Sequence, residues 1–294
     1  MPRTGVSNPS CRVALLHSVV RQEEKLLTSA LDGIPGVECV LLDDRKLSVD
    51  PARAHAGFDA MIARSVSSSR NVAARHLFEA AGVRCFNPAS VGEVCNDKMR
   101  TSLALIRASV PHPELRVAFT EDSALEAMED MGYPVVLKPV VGSWGRLIAR
   151  ATDTDSASSL LEHKAALPSF QHHIYYLQRY VEKNGRDIRS FVVGEHCVAA
   201  IVRTSSDWRT NTARGAVAAN YPVTPELEAV SLAAARAVGG GVLAVDLFET
   251  EEGFLVNEVN DTMEFKNSIE PTGVDIPGAV AGYVVDELRA AKAA

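Results

Sequence analysis

The first ninety or so residues alternate short apolar runs with helical patterns, and nothing else in the chain constrains the fold as strongly. Arg12–His17, Val37–Leu42 and Phe58–Arg64 read as strands, and Val83–Phe86 as a short fourth one closed by Asn87-Pro88. Between them, Gln22–Leu31 places Leu26, Leu27 and Leu31 on one helical face, and Asn71–Ala81 is helical too. Strands separated by helices are joined by crossovers rather than tight turns. They therefore run parallel, with the helices on the faces of the sheet. No Gly-x-Gly-x-x-Gly follows the first strand, which excludes a dinucleotide site of the usual kind.

At 294 residues the chain has room for roughly two domains of about 100–200 residues each. Its net charge of −7 argues against a nucleic-acid binder, which needs a basic stripe to neutralise phosphates. The cysteines, Cys11, Cys39, Cys85, Cys95 and Cys197, are odd in number and form no CxxC pair, as expected of free thiols in a reducing cytosol. The apolar run from Val13 to Val20 is interrupted by His17 and Ser18 and leads into Arg21-Gln22-Glu23-Glu24-Lys25. It reads as a strand and not as a signal peptide, and no stretch is apolar for long enough to span a membrane. The expected location is cytoplasmic.

Further along, a helix at about Asp97–Ala108 is broken by Val110-Pro111-His112-Pro113, and Thr120 caps a second helix that ends near Gly132. Pro134–Pro139 is a strand ending in Lys138, and Leu147–Ala151 leaves the following glycine loop, so that loop sits in a β-hairpin. Ile174–Arg179, Ile188–Val193 and His196–Arg203 are strands. Thr224 and Pro225 open a helix that Gly239-Gly240-Gly241 closes. Val242–Glu249 and Phe254–Val259 form a hairpin around Glu251-Glu252-Gly253, and a last helix covers about Ile276–Ala291. The fold class is α/β and α+β.

The last hairpin carries the sharpest chemistry. Glu258 and Asn260, two apart on one strand, share a face, with Asn257 and Val259 expected on the other, and Asp246 lies within cross-strand reach. Two carboxylates and an amide oxygen suit a hard cation such as Mg²⁺, which takes one or two carboxylates plus substrate phosphates. Polar residues on a solvated face would show the same spacing, but Asp246 is flanked by Leu243, Val245 and Leu247 and needs a partner there.

Lys138 and Lys98 flank the segment that leads to the glycine loop, and lysine is a compact charge suited to phosphate oxygens. The loop, Gly142-Ser143-Trp144-Gly145, can bring backbone N–H groups to an anion, although a plain hairpin turn has the same pattern. Trp144 is either a lid residue or packed below. Leu177-Gln178-Arg179-Tyr180-Val181 turns from strand to polar linker and can offer bare backbone groups to a flat heterocycle, or is an ordinary strand end. Arg146, Arg186, Arg189, Arg203, Arg209 and Arg214 suggest either an acidic substrate gripped bidentately or a solvated basic face. No metal-ligand spacing surrounds His172-His173, and there is no Gly-x-Ser-x-Gly elbow.

The order of these pieces resembles the ATP-grasp superfamily. Arg209-x-Asn211-x-x-Arg214-Gly215 resembles the RimK-type glutamate ligases. Val135–Arg146, Asn211–Gly215 and Val256–Asn260 with Met263–Ser268 look like the LysX ligases. That resemblance implies an N-terminal parallel α/β domain over residues 1–95, a central ATP-grasp lobe over 96–180, and a C-terminal lobe over 181–294 with the metal and substrate site. It implies ATP and Mg²⁺ as cofactors. Lys98 and Lys138 would hold the phosphates under the Gly142, Ser143, Trp144 and Gly145 loop. The backbone around Arg179, Tyr180 and Val181 would read adenine, and Asp187 would lie near the ribose. Asp246, Glu258 and Asn260 would hold the metal. Arg189, Arg203, Asn211, Thr212, Arg214 and Asn267 would grip substrate, with Arg214 and Lys138 catalytic.

The implied reaction joins α-aminoadipate or glutamate, through an acyl phosphate, to the C-terminal glutamate of a small acidic amino-group carrier protein of the LysW type. It serves lysine or arginine biosynthesis, in a cytoplasmic homo-oligomer. A RimK-type ligase acting on another protein or a small peptide, and a non-catalytic ATP-binding module, are the alternatives.

Overall fold

The computed structural model describes residues 11–51, 57–142, 146–210 and 215–293. Its first sheet is parallel throughout, as the alternation demands. It contains β1 (Cys11–His17), β2 (Val37–Asp43), β3 (Ala60–Arg64) and β4 (Arg84–Phe86) in the order β2-β1-β3-β4. Successive side chains of β1 go to opposite faces. Val13 and Leu15 pack with Leu27 and Leu31 of α1 (Gln22–Asp32), whereas Ala14 and Leu16 pack with Ala74 and Phe78 of α2 (Ser68–Ala80). Both faces are covered, which is why β1 is continuously apolar from Val13 to Leu16 rather than in alternate positions.

The chain then forms α3 (Ala89–Cys95), which the sequence pattern did not reveal, and α4 (Lys98–Arg107), whose N-cap Asp97 accepts from the Arg100 N–H. A second sheet follows, antiparallel and ordered β5-β8-β6-β7 from β5 (Leu115–Ala118), β6 (Val135–Lys138), β7 (Ala149–Ala151) and β8 (Tyr175–Arg179). The helices α5 (Glu121–Met131) and α6 (Thr154–Ala165) close its core. Neither β5 nor α6 was expected. The first half of α6 is rich in serine and opens on a capping box, Asp153 with Ser156.

The third sheet positions the site. It is antiparallel, ordered β11-β10-β9-β12-β13, from β9 (Arg186–Val193), β10 (His196–Thr204), β11 (Val217–Asn220), β12 (Val242–Thr250) and β13 (Gly253–Asn260). One face, including Ile188, Val192, Leu243 and Val245, packs on α7 (Pro225–Ala237), which Thr224 caps and Pro225 opens. The other face begins apolar, with Val193, Phe191, Ala199, Ile201, Val242 and Ala244 under α9 (Ile276–Ala293). Farther along the same strands, at the same parity, it becomes Arg189 and Asp187 on β9, Arg203 on β10 and Asp246 on β12. The charged end of this face is the end the core does not cover.

Contacts from three residues lock the first sheet onto the third. Asn87 donates to the carbonyls of Val242 (2.8 Å) and Asp261 (2.9 Å) and accepts from the Val242 N–H (2.6 Å). Arg75, fully buried on α2, pairs with Asp261. Arg64 donates to the Met263 carbonyl just before α8 (Lys266–Thr272). No helix among the described residues is long and apolar enough to cross a membrane.

Candidate active site

Strand register brings the charged residues into two rows. Arg203 lies opposite Asp187 across β10 and β9. Arg189, Asp246 and Glu258 lie side by side across β9, β12 and β13. Asp246 is 4% exposed, and the Arg189 guanidinium meets it bidentately at 2.7 and 2.8 Å. Arg203 reaches it at 3.3 Å while holding Asp187 bidentately. Burial alone would push the Asp246 carboxyl up. The two guanidiniums outweigh it and hold that carboxyl well below the usual carboxylate range.

On β13 the register slips: Glu258 faces Asp246, but Val256 already faces Leu247, so Asn257 is an extra residue in a β-bulge. This corrects the expected facing. Phe254, Val256 and Val259 stay in the core, and Asn257 joins Glu258 on the open side. There its Oδ1 accepts from Lys138 Nζ at 2.7 Å. Glu258 takes the other lysine, Lys98, at 2.9 Å; Lys98 Nζ also donates to the Gly142 carbonyl at 3.0 Å. The N–H of Lys98, the first residue of α4, donates to Val140 O, so the helix start fixes Lys98 against the segment that leads into the loop. Lys138 is buried at the end of β6, and burial brings its pKa down to about 7.

Two cavities meet at these groups. The first, about 820 Å³, runs from Lys98, Lys138 and Glu258 to an apolar end of Val136, Ile148, Val181 and Phe248. The Arg179 N–H is spent on Glu114 O and the Tyr180 N–H on Pro134 O. The sequence pattern assigns the backbone of Arg179 and Val181 to a flat heterocycle; the Arg179 N–H is not available for it, and Val181 lines the cavity. Arg150 stands over the rings of Tyr180 (4.9 Å) and Trp208 (5.4 Å), which meet edge to face at the mouth. Asp187 lines the cavity, yet both its oxygens are engaged by Arg203 and Thr210, and Lys183 donates to Thr210 at 2.7 Å.

The second cavity, about 1230 Å³, shares Asp246, Glu258, Arg203 and Gly142 with the first, adds Arg189 and Asn260, and is walled by Arg21, Ser65 and Ser68 of the first sheet's side. Asn267 is exposed on α8 and lines neither cavity. Ser143, Trp144, Gly145, Asn211, Thr212 and Arg214 lie outside the described residues.

Residues 95–284 match the RimK-like ATP-grasp domain family, and residues 13–94 match the LysX preATP-grasp domain family. The chain belongs to the RimK-like ATP-grasp family. It is 32% identical over 279 residues to the glutamate–LysW ligase ArgX of Sulfurisphaera tokodaii, covering 93% of this chain and 98% of that one. It is 37% identical to the α-aminoadipate–LysW ligase LysX of Saccharolobus solfataricus, over 74% of this chain and 80% of that one. A crystal structure of a RimK-domain ATP-grasp protein from Sphaerobacter thermophilus superposes with a TM-score of 0.78 at 30% identity, covering 92% of this chain and 98% of that one. The sequence resemblance, and with it the ATP-grasp fold of an ATP- and Mg²⁺-dependent carbon–nitrogen ligase, stands.

The donor set fits that metal. Among the described residues no cluster of three or more His, Cys, Asp or Glu side chains forms a cage, and Mg²⁺ needs none when phosphates complete its shell. Two carboxylates in register, one kept ionised by arginines, and an amide near them would supply hard oxygen donors, with Asp246 sharing its oxygens with Arg189 and Glu258 sharing Oε1 with Lys98. Asn260 Nδ2 is shielded from solvent and lacks a hydrogen-bond partner, as in an amide whose oxygen is the working atom.

The sequence had not pointed to Asn257, Lys183, Thr210, Trp208 or Arg21. The apolar spacing of β13 held a signal for the first: Phe254 and Val256 are two apart, but Val259 comes three later, a break in parity that marks a bulge.

Proposed function

We propose that this ATP-grasp chain forms an isopeptide bond between the C-terminal glutamate γ-carboxylate of a LysW-type amino-group carrier protein and the amino group of α-aminoadipate or glutamate. The observation that carries it is the pair of cavities meeting at Asp246 and Glu258. One offers lysines and an apolar end, as a nucleoside triphosphate requires, and the other offers arginines, as acidic partners require. The named activities of the ArgX and LysX relatives agree with this division.

In this reading Lys98 and Lys138 hold the phosphate oxygens. Their present partners, Glu258 and Asn257, keep both ammonium groups aimed at the same place when no nucleotide is bound. The carrier carboxylate attacks the γ-phosphorus, the bond to ADP breaks, and an acyl phosphate forms. The amine then attacks the acyl carbon and phosphate leaves, taking the amine proton. Asp246, Glu258 and Asn260 would hold Mg²⁺, which would supply charge neutralisation on the phosphate oxygens. Burial lowers the pKa of Lys138, and phosphate charge beside it would favour the ammonium form. Arg189 and Arg203 set the charge of the floor beneath the reacting carboxyl. Enclosure by the first sheet keeps water from the acyl phosphate. We assign Arg214 and the Gly142–Gly145 loop to the same centre from the family resemblance. The homo-oligomer and the cytoplasmic location belong to this proposal as well.

The test is ADP release with purified carrier protein, offering α-aminoadipate and glutamate separately. Release with one acid and not with carrier alone is the expected result; no release with either overturns the reading. Glu258→Gln should abolish Mg²⁺-dependent turnover in a folded protein.

A further inference from the structure

The second cavity has two walls of different character. The metal hairpin and Arg189 form one; Arg21, Ser65 and Ser68 form the other. Arg189 and Arg203 are tied to Asp246 and Asp187, inside the reaction centre. Arg21 touches neither. It contacts Glu24 at 3.1 Å, and that carboxylate, with no side-chain exposure, also takes Arg64 at 2.9 Å. One buried charge thus serves two guanidiniums. The second counter-charge comes from Glu264, through a single contact of 3.2 Å, from a side chain that is 42% exposed. A contact of that kind is weak and readily exchanged.

We propose that Arg21 is the subsite for the distal carboxylate of the acidic amino acid that accepts the acyl group, and that Glu264 occupies this subsite until the amino acid displaces it. The proposal rests on the ligase reading above and deepens it. A short dicarboxylic amino acid has the matching chemistry. Its amine belongs at the hairpin, where the acyl phosphate forms, and its far carboxylate replaces Glu264 on the guanidinium edge. A neutral side chain gains nothing there, because Arg21 already has Glu264. Asn71 holds the wall in shape by bonding both backbone groups of Ser65, at 2.7 and 3.0 Å. Asn96 and Asn260 line the same cavity. Arg21 does not line the nucleotide cavity, which separates its role from ATP handling.

Calorimetric titration of glutamate, α-aminoadipate and glutamine tests this on the full chain loaded with Mg²⁺ and a non-hydrolysable ATP analogue. Arg21→Gln should weaken the better-bound acid about tenfold or more, remove the preference for glutamate over glutamine, and leave analogue affinity within about twofold. Glu264→Gln, at an exposed position, should tighten acid binding. Equal acid affinity in wild type and Arg21→Gln overturns the proposal, as does absence of acid binding to the wild type. If Arg21→Gln fails to fold, unchanged or weaker binding in Glu264→Gln overturns it. ADP release judges the ligase reading separately: release in the wild type with unchanged acid affinity in Arg21→Gln removes the subsite alone.

Discussion

Asp246 and Glu258 face each other across one strand pair and share one proposed metal, yet the fold holds them very differently. Asp246 is 4% exposed between two guanidiniums, and among the described residues it is the one carboxylate Arg189 pairs with. Asp246→Asn removes the charge and leaves Arg189 beside a neutral amide in a buried setting. Breaking a buried pair from one side costs about 3–5 kcal/mol, and the retained amide oxygen puts this case near the lower end, about 3 kcal/mol. Glu258 is 27% exposed in its side chain and meets the lysine Lys98. Discounted for solvent screening, Glu258→Gln should cost under about 1 kcal/mol. Urea denaturation followed by circular dichroism reads the difference. With a slope near 3 kcal/mol/M, Asp246→Asn lowers the midpoint by roughly 1 M and Glu258→Gln by less than about 0.3 M. Both variants should lose Mg²⁺–nucleotide affinity in titration. Equal midpoint shifts, or an Asp246→Asn as stable as the wild type, would refute the view that arginines on Asp246 support the fold as well as the site.

Lys138, with its pKa brought down to about 7, should take up roughly half a proton when ATP binds near pH 7, since phosphates favour the ammonium form. Calorimetry in buffers of different ionisation enthalpy measures this, with affinity falling as pH rises from about 7 to 9. No proton uptake would contradict the burial of that lysine. The same shift makes the unfolded chain bind the extra proton between about 7 and 10.5, so Lys138 adds to stability as pH rises through that window. Asn87→Ala should cost roughly 2–4 kcal/mol, because it deletes three buried hydrogen bonds between the first and third sheets; a loss under about 1 kcal/mol in denaturation would sink that role. Burial pushes the thiols of Cys39 and Cys197 up to about 11 and that of Cys85 up to about 12. Iodoacetamide at about pH 7.5 should therefore leave the native chain active, whereas rapid inactivation would point to a thiol in the chemistry.

What the sequence disclosed was whatever has a local cause. Thr120 and Thr224 cap helices within four residues of chain, so those starts were legible. Asp246 stood out because a carboxylate amid Leu243, Val245 and Leu247 demands a partner, although its present partners are arginines. The facing of Asn257 was misjudged because strict period-two counting takes a strand to be regular, and a bulge shifts every later residue by one. The wall of the second cavity was illegible for another reason. Arg75 meets Asp261 across 186 residues and Arg21 meets Glu264 across 243, and no pattern within a window of either residue announces the other. Asn267, singled out from its motif, sits exposed on α8, because the turn of helix that follows Phe265 directs Ser268 into the core and Asn267 outward.

The described cations that meet the two cavities come with internal partners that a ligand can imitate. Lys98 has Glu258, Lys138 has Asn257, Arg189 has Asp246, and Arg21 has Glu264. Left bare, such a concentration of positive charge would repel itself and the side chains would disperse. Partnered, each stays aimed at the place where phosphate or carboxylate oxygen must arrive, which is the preorganisation that makes fixed charges effective in catalysis. Binding at this site is therefore an exchange, and its free energy is the difference between the ligand's contact and the internal one it replaces. A ligand that brings less charge than the internal partner it replaces loses by the exchange, and one that brings more, as phosphate oxygens do in place of the Asn257 amide on Lys138, gains. In the proposed reading, selectivity for triphosphate on one side of Asp246 and Glu258, and for acidic groups on the other, follows from the same arrangement.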